Sequence, residues 1–223
     1  MAKTFALNLG WIAAASLLGF AITAIFAGSL RLPRNIFLLV YLMLAGPFLY
    51  AFTRWSHLSF GELLHHNWVW GLIAAALIGA FTVRNVLSQP ASPHSQGLSL
   101  VFDIAWLGIV YGGLDALFLS VLPVLATWQA FSAIGWTATL PGKIATGVIA
   151  LIASLLVTVA YHLGYSEYRV QGGILGPSMG NSVMSFGYIL TNNPIAAVFS
   201  HIAMHIASVF QGPATVIQLP PHY

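Results

Sequence analysis

Long apolar segments dominate this chain and limit what it can fold into. A helix that crosses a bilayer needs roughly 20 mostly apolar residues, and six segments of the chain approach or exceed that length. Charged residues make up only 5% of the chain, whereas a water-soluble domain has roughly a quarter. The sequence therefore predicts an all-α fold, a polytopic integral membrane helix bundle. The six segments are residues 5–28, 35–53, 66–87, 99–127, 144–164 and 183–210.

The number of helices depends mainly on the fourth segment. Residues 99–127 are too long for one simple span and include Gly112, Gly113 and Pro123. Glycine and proline are common causes of kinks, so we expect a span, a kink and a second helix there, and about six to eight membrane helices in all. The first segment is longer than the apolar core of a signal peptide, which predicts a retained membrane helix.

Composition excludes several classes of function. The net charge of +3 comes from 7 basic and 4 acidic residues, and no run of basic residues could follow a phosphate backbone. We therefore expect no nucleic-acid partner, and membrane lipid as the surroundings. Cysteine is absent, which removes disulfides and thiolate chemistry. The few basic residues are spread over loops on both sides, so they do not determine an orientation.

A glycine-rich piece separates the last two segments. It reads YSEYRVQGGILGPSMGN at residues 165–181, and we expect it to be irregular. Non-helical backbone at membrane depth persists only where protein or a water-filled cavity satisfies it. The piece is therefore either a surface loop, the commoner case, or the lining of a cavity.

Four ionisable residues stand inside apolar segments, where they are costly and mark functional sites by default. His201 and His205 share one helical face at a spacing of four. They could converge on one ion or one water, or each could hydrogen-bond to a neighbouring helix. Ile202 replaces the glutamate of HExxH, so this is not a zincin motif. His162 and Asp115 come from separate segments, and Asp115 could be a general base or a structural partner of one histidine.

Three further patterns have simpler explanations. Glu62, His65 and His66 lie at the start of a span, where amphipathic residues collect at the lipid interface. Ser178 lies in GPSMG, but the G-x-S-x-G elbow requires a strand-turn-helix that this chain lacks. The sequence QLPPHY at residues 218–223 is interpreted as a tail.

The second half of the chain, roughly residues 99–210, resembles the CAAX protease and bacteriocin-processing (CPBP) family of intramembrane proteases. Members of that family carry an EExxxR motif, a later FxxxH motif and a final HxxxN or HxxxD motif on separate membrane helices. The stretch GGLDALFLSVLP resembles the first motif. Leu114 and Asp115 then stand where the two glutamates would be, and Leu119 replaces the arginine.

Two later stretches resemble the remaining motifs. TVAYHLGYSEYR is similar to the second, with His162 at the histidine position and Thr158 where phenylalanine is usual. TNNPIAAVFSHIAMH is similar to the third, with His201 at the histidine and His205 in place of the asparagine or aspartate.

The resemblance implies an intramembrane peptidase that hydrolyses a peptide bond near the membrane surface. Asp115 would be the base toward water, with His162 sharing its proton or holding a metal. His201 and His205 would donate to the oxyanion or complete a metal site, since three imidazoles and one carboxylate could bind zinc. A membrane-associated or lipidated peptide would be the substrate, and a prokaryotic cell membrane the location.

The departures from the family pattern leave alternatives open. With Leu114 and Leu119 in the first motif, the chain could instead be a catalytically inactive relative that binds or assembles with a membrane partner. The same polar residues could also form the ion site of a small metal-binding membrane protein or transporter. In each case we divide the chain into N-terminal transmembrane helices (1–98), a core carrying the polar site (99–210) and a C-terminal tail (211–223).

Overall fold

The computed structural model describes residues 1–222, apart from the side chain of Phe60. The described chain is an all-α bundle, as the apolar segments predict, joined by short turns. Two 3₁₀ turns, Trp136–Ala138 and Ser166–Arg169, precede and follow its sixth helix. The helices are α1 (Ala2–Ser29), α2 (Arg34–Trp55), α3 (Phe60–His65), α4 (Trp68–Leu87), α5 (Leu98–Ala133), α6 (Leu140–Gly164), α7 (Leu175–Thr191) and α8 (Ile195–Gln211).

The long helices have the length and composition of membrane spans. Five of the described helices, α1, α2, α4, α5 and α6, are long and apolar enough to cross a bilayer. Large apolar side chains on their outer faces are exposed, including Leu17, Leu77 and Leu156. An apolar surface of this extent is unfavourable in water and is typical of a lipid-facing protein.

Two segments differ from the sequence-based expectation. Residues 99–127 do not break into two helices, because α5 runs continuously for 36 residues. Its irregularity is instead in two π-helical stretches, Ile104–Tyr111 and Ala116–Val121, on either side of Gly112–Asp115. Such widened turns keep the helix continuous and are frequent at functional sites.

The last apolar segment is two helices rather than one. Asn192 adopts a left-handed conformation that ends α7, and Pro194 stands at the start of α8. The side chain of Asn193 accepts a hydrogen bond from the Ile195 N–H at 2.8 Å, which caps the new helix. The glycine-rich piece is also more regular than expected, since α7 begins at Leu175 within it.

Close packing of α5 and α8 positions the polar residues. At Gly112, a Cβ would lie 3.0 Å from the Cα of Ile202 and 3.2 Å from the Cβ of His205. Only a glycine allows the two backbones to approach this closely without displacement. Helix α8 packs along α4 on another side, while α1 packs against α5 and α6, so α5 is much more buried than the other long helices.

Candidate functional site

The four ionisable residues predicted from the sequence line a single cavity of about 70 Å³. Asp115 comes from α5, His162 from α6, and His201 and His205 from α8. A single water molecule needs about 10–15 Å³ of space for its centre. The cavity therefore has room for a few water molecules and not for a substrate chain. Helix α7 and residues of the C-terminal segment complete its lining.

Asp115 and His205 form the closest pair of ionisable groups in the cavity. Asp115 Oδ2 lies 3.5 Å from His205 Nε2, and the two residues are 6% and 1% exposed. The second carboxyl oxygen, Oδ1, is buried with no hydrogen-bond partner within the described residues. Tyr41 lies close enough to interact with this carboxyl, although its hydroxyl is outside hydrogen-bond geometry. Asp115 therefore retains an acceptor for water.

The backbone fixes the protonation pattern of all three imidazoles. In each, Nδ1 faces a backbone carbonyl: Thr158 O at 2.8 Å from His162, Ala197 O at 3.3 Å from His201, and Leu107 O at 3.2 Å from His205. A carbonyl oxygen only accepts, so Nδ1 must carry a proton. In the neutral rings Nε2 is then a bare acceptor, which can bind a water hydrogen or a metal.

Protonation at Nδ1 limits the roles that the histidines can have in catalysis. A neutral His201 or His205 protonated at Nδ1 has no Nε2 hydrogen to give to an oxyanion, so donation would require a second proton on the ring. Between His205 and Asp115, by contrast, an acceptor nitrogen faces an acceptor oxygen. The pair therefore gains a favourable contact only when it holds one proton between them.

The cavity residues lie farther apart than the ligands of a metal ion do. A zinc site needs four ligand atoms at about 2.0–2.3 Å from the metal. The ring centroids of His201 and His205 are 6.4 Å apart, and within residues 1–222 no group of three or more histidine and carboxylate side chains is close enough to hold an ion. The residues do not fit zinc as they stand, so no step below is routed through a metal.

A polar residue missed by the sequence analysis also lines the cavity. Asn181, on α7, donates from Nδ2 to Ser154 Oγ at 2.8 Å and accepts at Oδ1 from Ser120 at 2.6 Å. Ser154 contacts Ser185 at 2.7 Å and donates to Leu119 O at 2.7 Å. This serine–asparagine network joins α5, α6 and α7, and one Nδ2 hydrogen of Asn181 is left for a ligand. In the sequence, Asn181 was marked only by being an amide among small residues, at the end of the glycine-rich piece that was expected to be irregular.

Buried tyrosines lie beside the cavity. The Tyr111 ring packs edge-on against His205 with centroids 5.0 Å apart. Its hydroxyl contacts those of Tyr161 and Tyr165 at 3.3 and 3.2 Å, and Tyr165 donates to Tyr161 at 2.9 Å. Burial raises the pKa of the Tyr168 hydroxyl, in the turn after α6, well above its usual value. Tyr168 therefore keeps its proton and donates to Ile217 O.

The remaining patterns lie outside the cavity. Glu62 and His65 belong to the short helix α3, and Ser178 has a buried hydroxyl with no partner in the described chain. Residues of the presumed tail, in contrast, form part of the cavity wall: Ile217, Gln218 and Pro220. Tyr223 lies outside the described residues.

Comparisons with known proteins add no evidence for a family. No family model, no curated protein and no solved structure matches this chain. The resemblance to the CPBP family therefore remains a prediction from the three motif-like stretches.

Proposed function

We propose that this chain is a multi-pass hydrolase of a prokaryotic cell membrane, a CPBP-like intramembrane peptidase. The observation that supports it is the composition of one buried cavity: a carboxylate with a free oxygen, three imidazoles with free Nε2 atoms and an amide donor, with room for a few waters. Such a set can hold and activate a water molecule. The substrate class is a membrane-associated or lipidated peptide.

The first step is attack by a cavity water. Ionised Asp115 accepts one water hydrogen at Oδ1, and Nε2 of His162 or His201 accepts the other, which leaves an oxygen lone pair directed at the substrate. As the O–C bond forms at the scissile carbonyl, the water proton passes to Asp115. The proton is then on Oδ1, while Oδ2 still faces His205 Nε2 at 3.5 Å without a proton between them.

The second step returns that proton. The free Nδ2 hydrogen of Asn181 donates to the tetrahedral oxygen, as oxyanion donors do. When the C–N bond breaks, Asp115 gives its proton to the leaving nitrogen. The products are a carboxylic acid and an amine, and the Asp115–His205 pair is back in its starting state.

Cleavage of a peptide library by protein in liposomes tests this proposal. The library contains apolar and lipidated peptides, and mass spectrometry detects new termini. We expect cleavage by the wild type, and an Asp115→Asn rate lower by about 10²- to 10⁴-fold, the range for a general base. Asp103→Asn is the matched control: Asp103 lies on the same helix but bonds to Ser95 at 2.6 Å, outside the cavity.

Two results would contradict the proposal. Equal cleavage by the wild type and Asp115→Asn would remove Asp115 as the base. A correctly folded wild type that cleaves no member of the library would favour a catalytically inactive protein that uses the cavity for binding or assembly.

Zinc binding is the second candidate, favoured by the three Nε2 atoms that the tautomers leave free. It requires the rings to move closer than they are here. Elemental analysis of detergent-purified wild type beside His162→Ala and His201→Ala tests it. Near-stoichiometric zinc that is lost in both variants would support a metal site in an enzyme or a small metal-binding protein or transporter. Metal-free wild type would remove this candidate.

A further inference from the structure

The C-terminal segment is folded across the cavity instead of extending away from it. Ile217, Gln218 and Pro220 line the cavity, and Val216 and Leu219 are completely buried in the hydrophobic core. While this segment is in place, the cavity of about 70 Å³ has room for water only. Residues 217–220 therefore occupy space beside Asp115 that a substrate peptide would need.

Side chains of α2, of α5 and of the turn after α6 bind the backbone carbonyls of this segment. The three donors come from separate parts of the fold, and all three act on main-chain oxygens, which any peptide of suitable shape would present. Tyr168 donates to Ile217 O, Tyr111 to Pro220 O at 3.1 Å, and Arg34 to Pro221 O at 3.1 Å and Pro213 O at 2.6 Å.

The prolines of the segment suit a groove that supplies hydrogen-bond donors. Around Pro220 and Pro221 the groove presents donors, Tyr111 and Arg34. Proline has no N–H, so neither residue brings a backbone donor that would be buried without an acceptor. Side chains outside the segment accept two of its N–H groups: Ser92 accepts that of Ala214 at 3.3 Å, and Gln89 accepts that of Ile217 at 3.0 Å.

Two of the links that hold the segment from its outer side are between partly exposed side chains. Gln89 donates to Gln218 at 3.0 Å, and His222 Nδ1 lies 2.9 Å from Glu167 Oε2. Exposed polar pairs of this kind contribute little to stability, so release of the segment is opposed mainly by the burial of Val216 and Leu219 and by the hydrogen bonds to its carbonyls.

We propose that the tyrosine-lined groove beside the cavity is a binding site for a turn-forming, proline-containing peptide segment, and that residues 213–221 are its intramolecular occupant. The proposal rests on the proposed function in one respect: the peptide that displaces this segment is the substrate, laid against Asp115. Its recognition comes from main-chain carbonyls at two prolines and from an apolar side chain in the place of Leu219.

Reversible cross-linking of the segment tests the groove. Because the chain has no cysteine, a reducible thiol cross-linker will join only the positions of the Gln89→Cys/Gln218→Cys variant, prepared with Asp115→Asn so that no peptide is cleaved. The probe is a fluorescent peptide with the sequence of residues 211–222. We expect its affinity for the cross-linked protein to be at least tenfold lower than after reduction, and the single-cysteine variants to show no difference.

Two further comparisons keep the test independent of folding. His222→Ala loosens the segment without changing the groove and should bind the probe more tightly than its parent. A probe in which both prolines are alanine should bind more weakly. Equal affinity before and after reduction, or no binding to the reduced protein and to His222→Ala, would overturn the proposal and make residues 213–221 a fixed part of the fold.

The two proposals fail separately. Probe binding is measured in Asp115→Asn and needs no hydrolysis. If the probe binds but the wild type cleaves no peptide, the groove stands and the peptidase is wrong. If the wild type cleaves library peptides and the probe neither binds nor competes, the peptidase stands and the groove is wrong.

Discussion

Two polar clusters lie side by side in the interior and differ in how completely they are hydrogen-bonded. In the serine–asparagine network, Ser120, Asn181, Ser154 and Ser185 bond to one another or to the backbone. In the cavity, Asp115 Oδ1 has no partner in the described chain, and the imidazoles use only Nδ1 on the backbone.

The difference separates a structural cluster from a functional one. Buried polar groups are normally paired, and a satisfied network fixes the arrangement of its helices. Unpaired acceptors in an interior are costly, so their retention indicates a site kept for water or a ligand. The comparison predicts that changes in the cavity alter activity and that changes in the network alter stability, while Asn181, which belongs to the network and also lines the cavity, affects both.

The largest expected effect is the separation of activity from stability at Asp115. Asp115→Asn should lower hydrolysis by about 10²- to 10⁴-fold, yet leave the unfolding temperature unchanged or higher. The asparagine Nδ2 can donate to the bare Nε2 of His205, so the contact between positions 115 and 205 keeps a hydrogen bond without a buried charge. Thermal unfolding in detergent beside the library assay measures both. A marked loss of stability would mean that Asp115 belongs with the structural cluster.

The next effect comes from the contact between α5 and α8. Gly112→Ala places a Cβ 3.0 Å from Ile202 Cα and 3.1 Å from His201 O, so α8 must shift by a few tenths of an ångström. Small displacements of catalytic groups are costly, and we expect roughly 10- to 100-fold slower cleavage. Gly113→Ala is the matched control, because its Cβ meets nothing closer than Ile202 Cδ1 at 3.9 Å. Equal rates for the two variants would show that the exact position of α8 does not matter.

Removal of the central amide should lower stability and, because Asn181 also lines the cavity, should slow cleavage as well. Asn181→Ala removes two side-chain bonds between helices and leaves the hydroxyls of Ser120 and Ser154 to find other partners. Interhelical bonds of this kind average about 0.6 kcal/mol each in membranes, and orphaned buried groups add to that, so we expect a loss of about 1–2 kcal/mol. Reversible unfolding in mixed micelles measures it, with Ser178→Ala on the same helix as a neutral control, since that hydroxyl has no partner in the described chain. A loss no larger than that of the control would refute the structural role.

The smallest effect is expected at the edge of the network. Ser185 has one hydrogen-bond contact there, to Ser154 at 2.7 Å, while Ser154 keeps Leu119 O and Asn181 as partners. Ser185→Ala should therefore cost about 0.5–1 kcal/mol with no change in cleavage. A larger loss than that of Asn181→Ala would place the centre of the network at Ser185.

The sequence indicated the fold class and several helix boundaries directly. Apolar length decides whether a segment becomes a long helix, and that is a local property, so α1, α2, α4 and α6 lie close to their predicted ranges. The expected break in residues 99–127 was wrong, because π-helical turns in the buried helix α5 absorb the irregularity. The unbroken segment 183–210 was also wrong, since the turn at Asn192 and Pro194 outweighs the apolar run around it.

The sequence by itself therefore determined that the chain forms apolar helices suited to a membrane. It also identified the four ionisable residues that are costly to bury in them: Asp115, His162, His201 and His205. Only the tertiary structure decided what these residues face. The tautomers depend on carbonyls such as Leu107 O, about a hundred positions from His205, and Asn181 and the segment 217–220 join the cavity through contacts that leave no periodic signal. Burial cost is a property of a side chain and its neighbours in sequence, whereas hydrogen-bond partners are assigned by packing between distant helices.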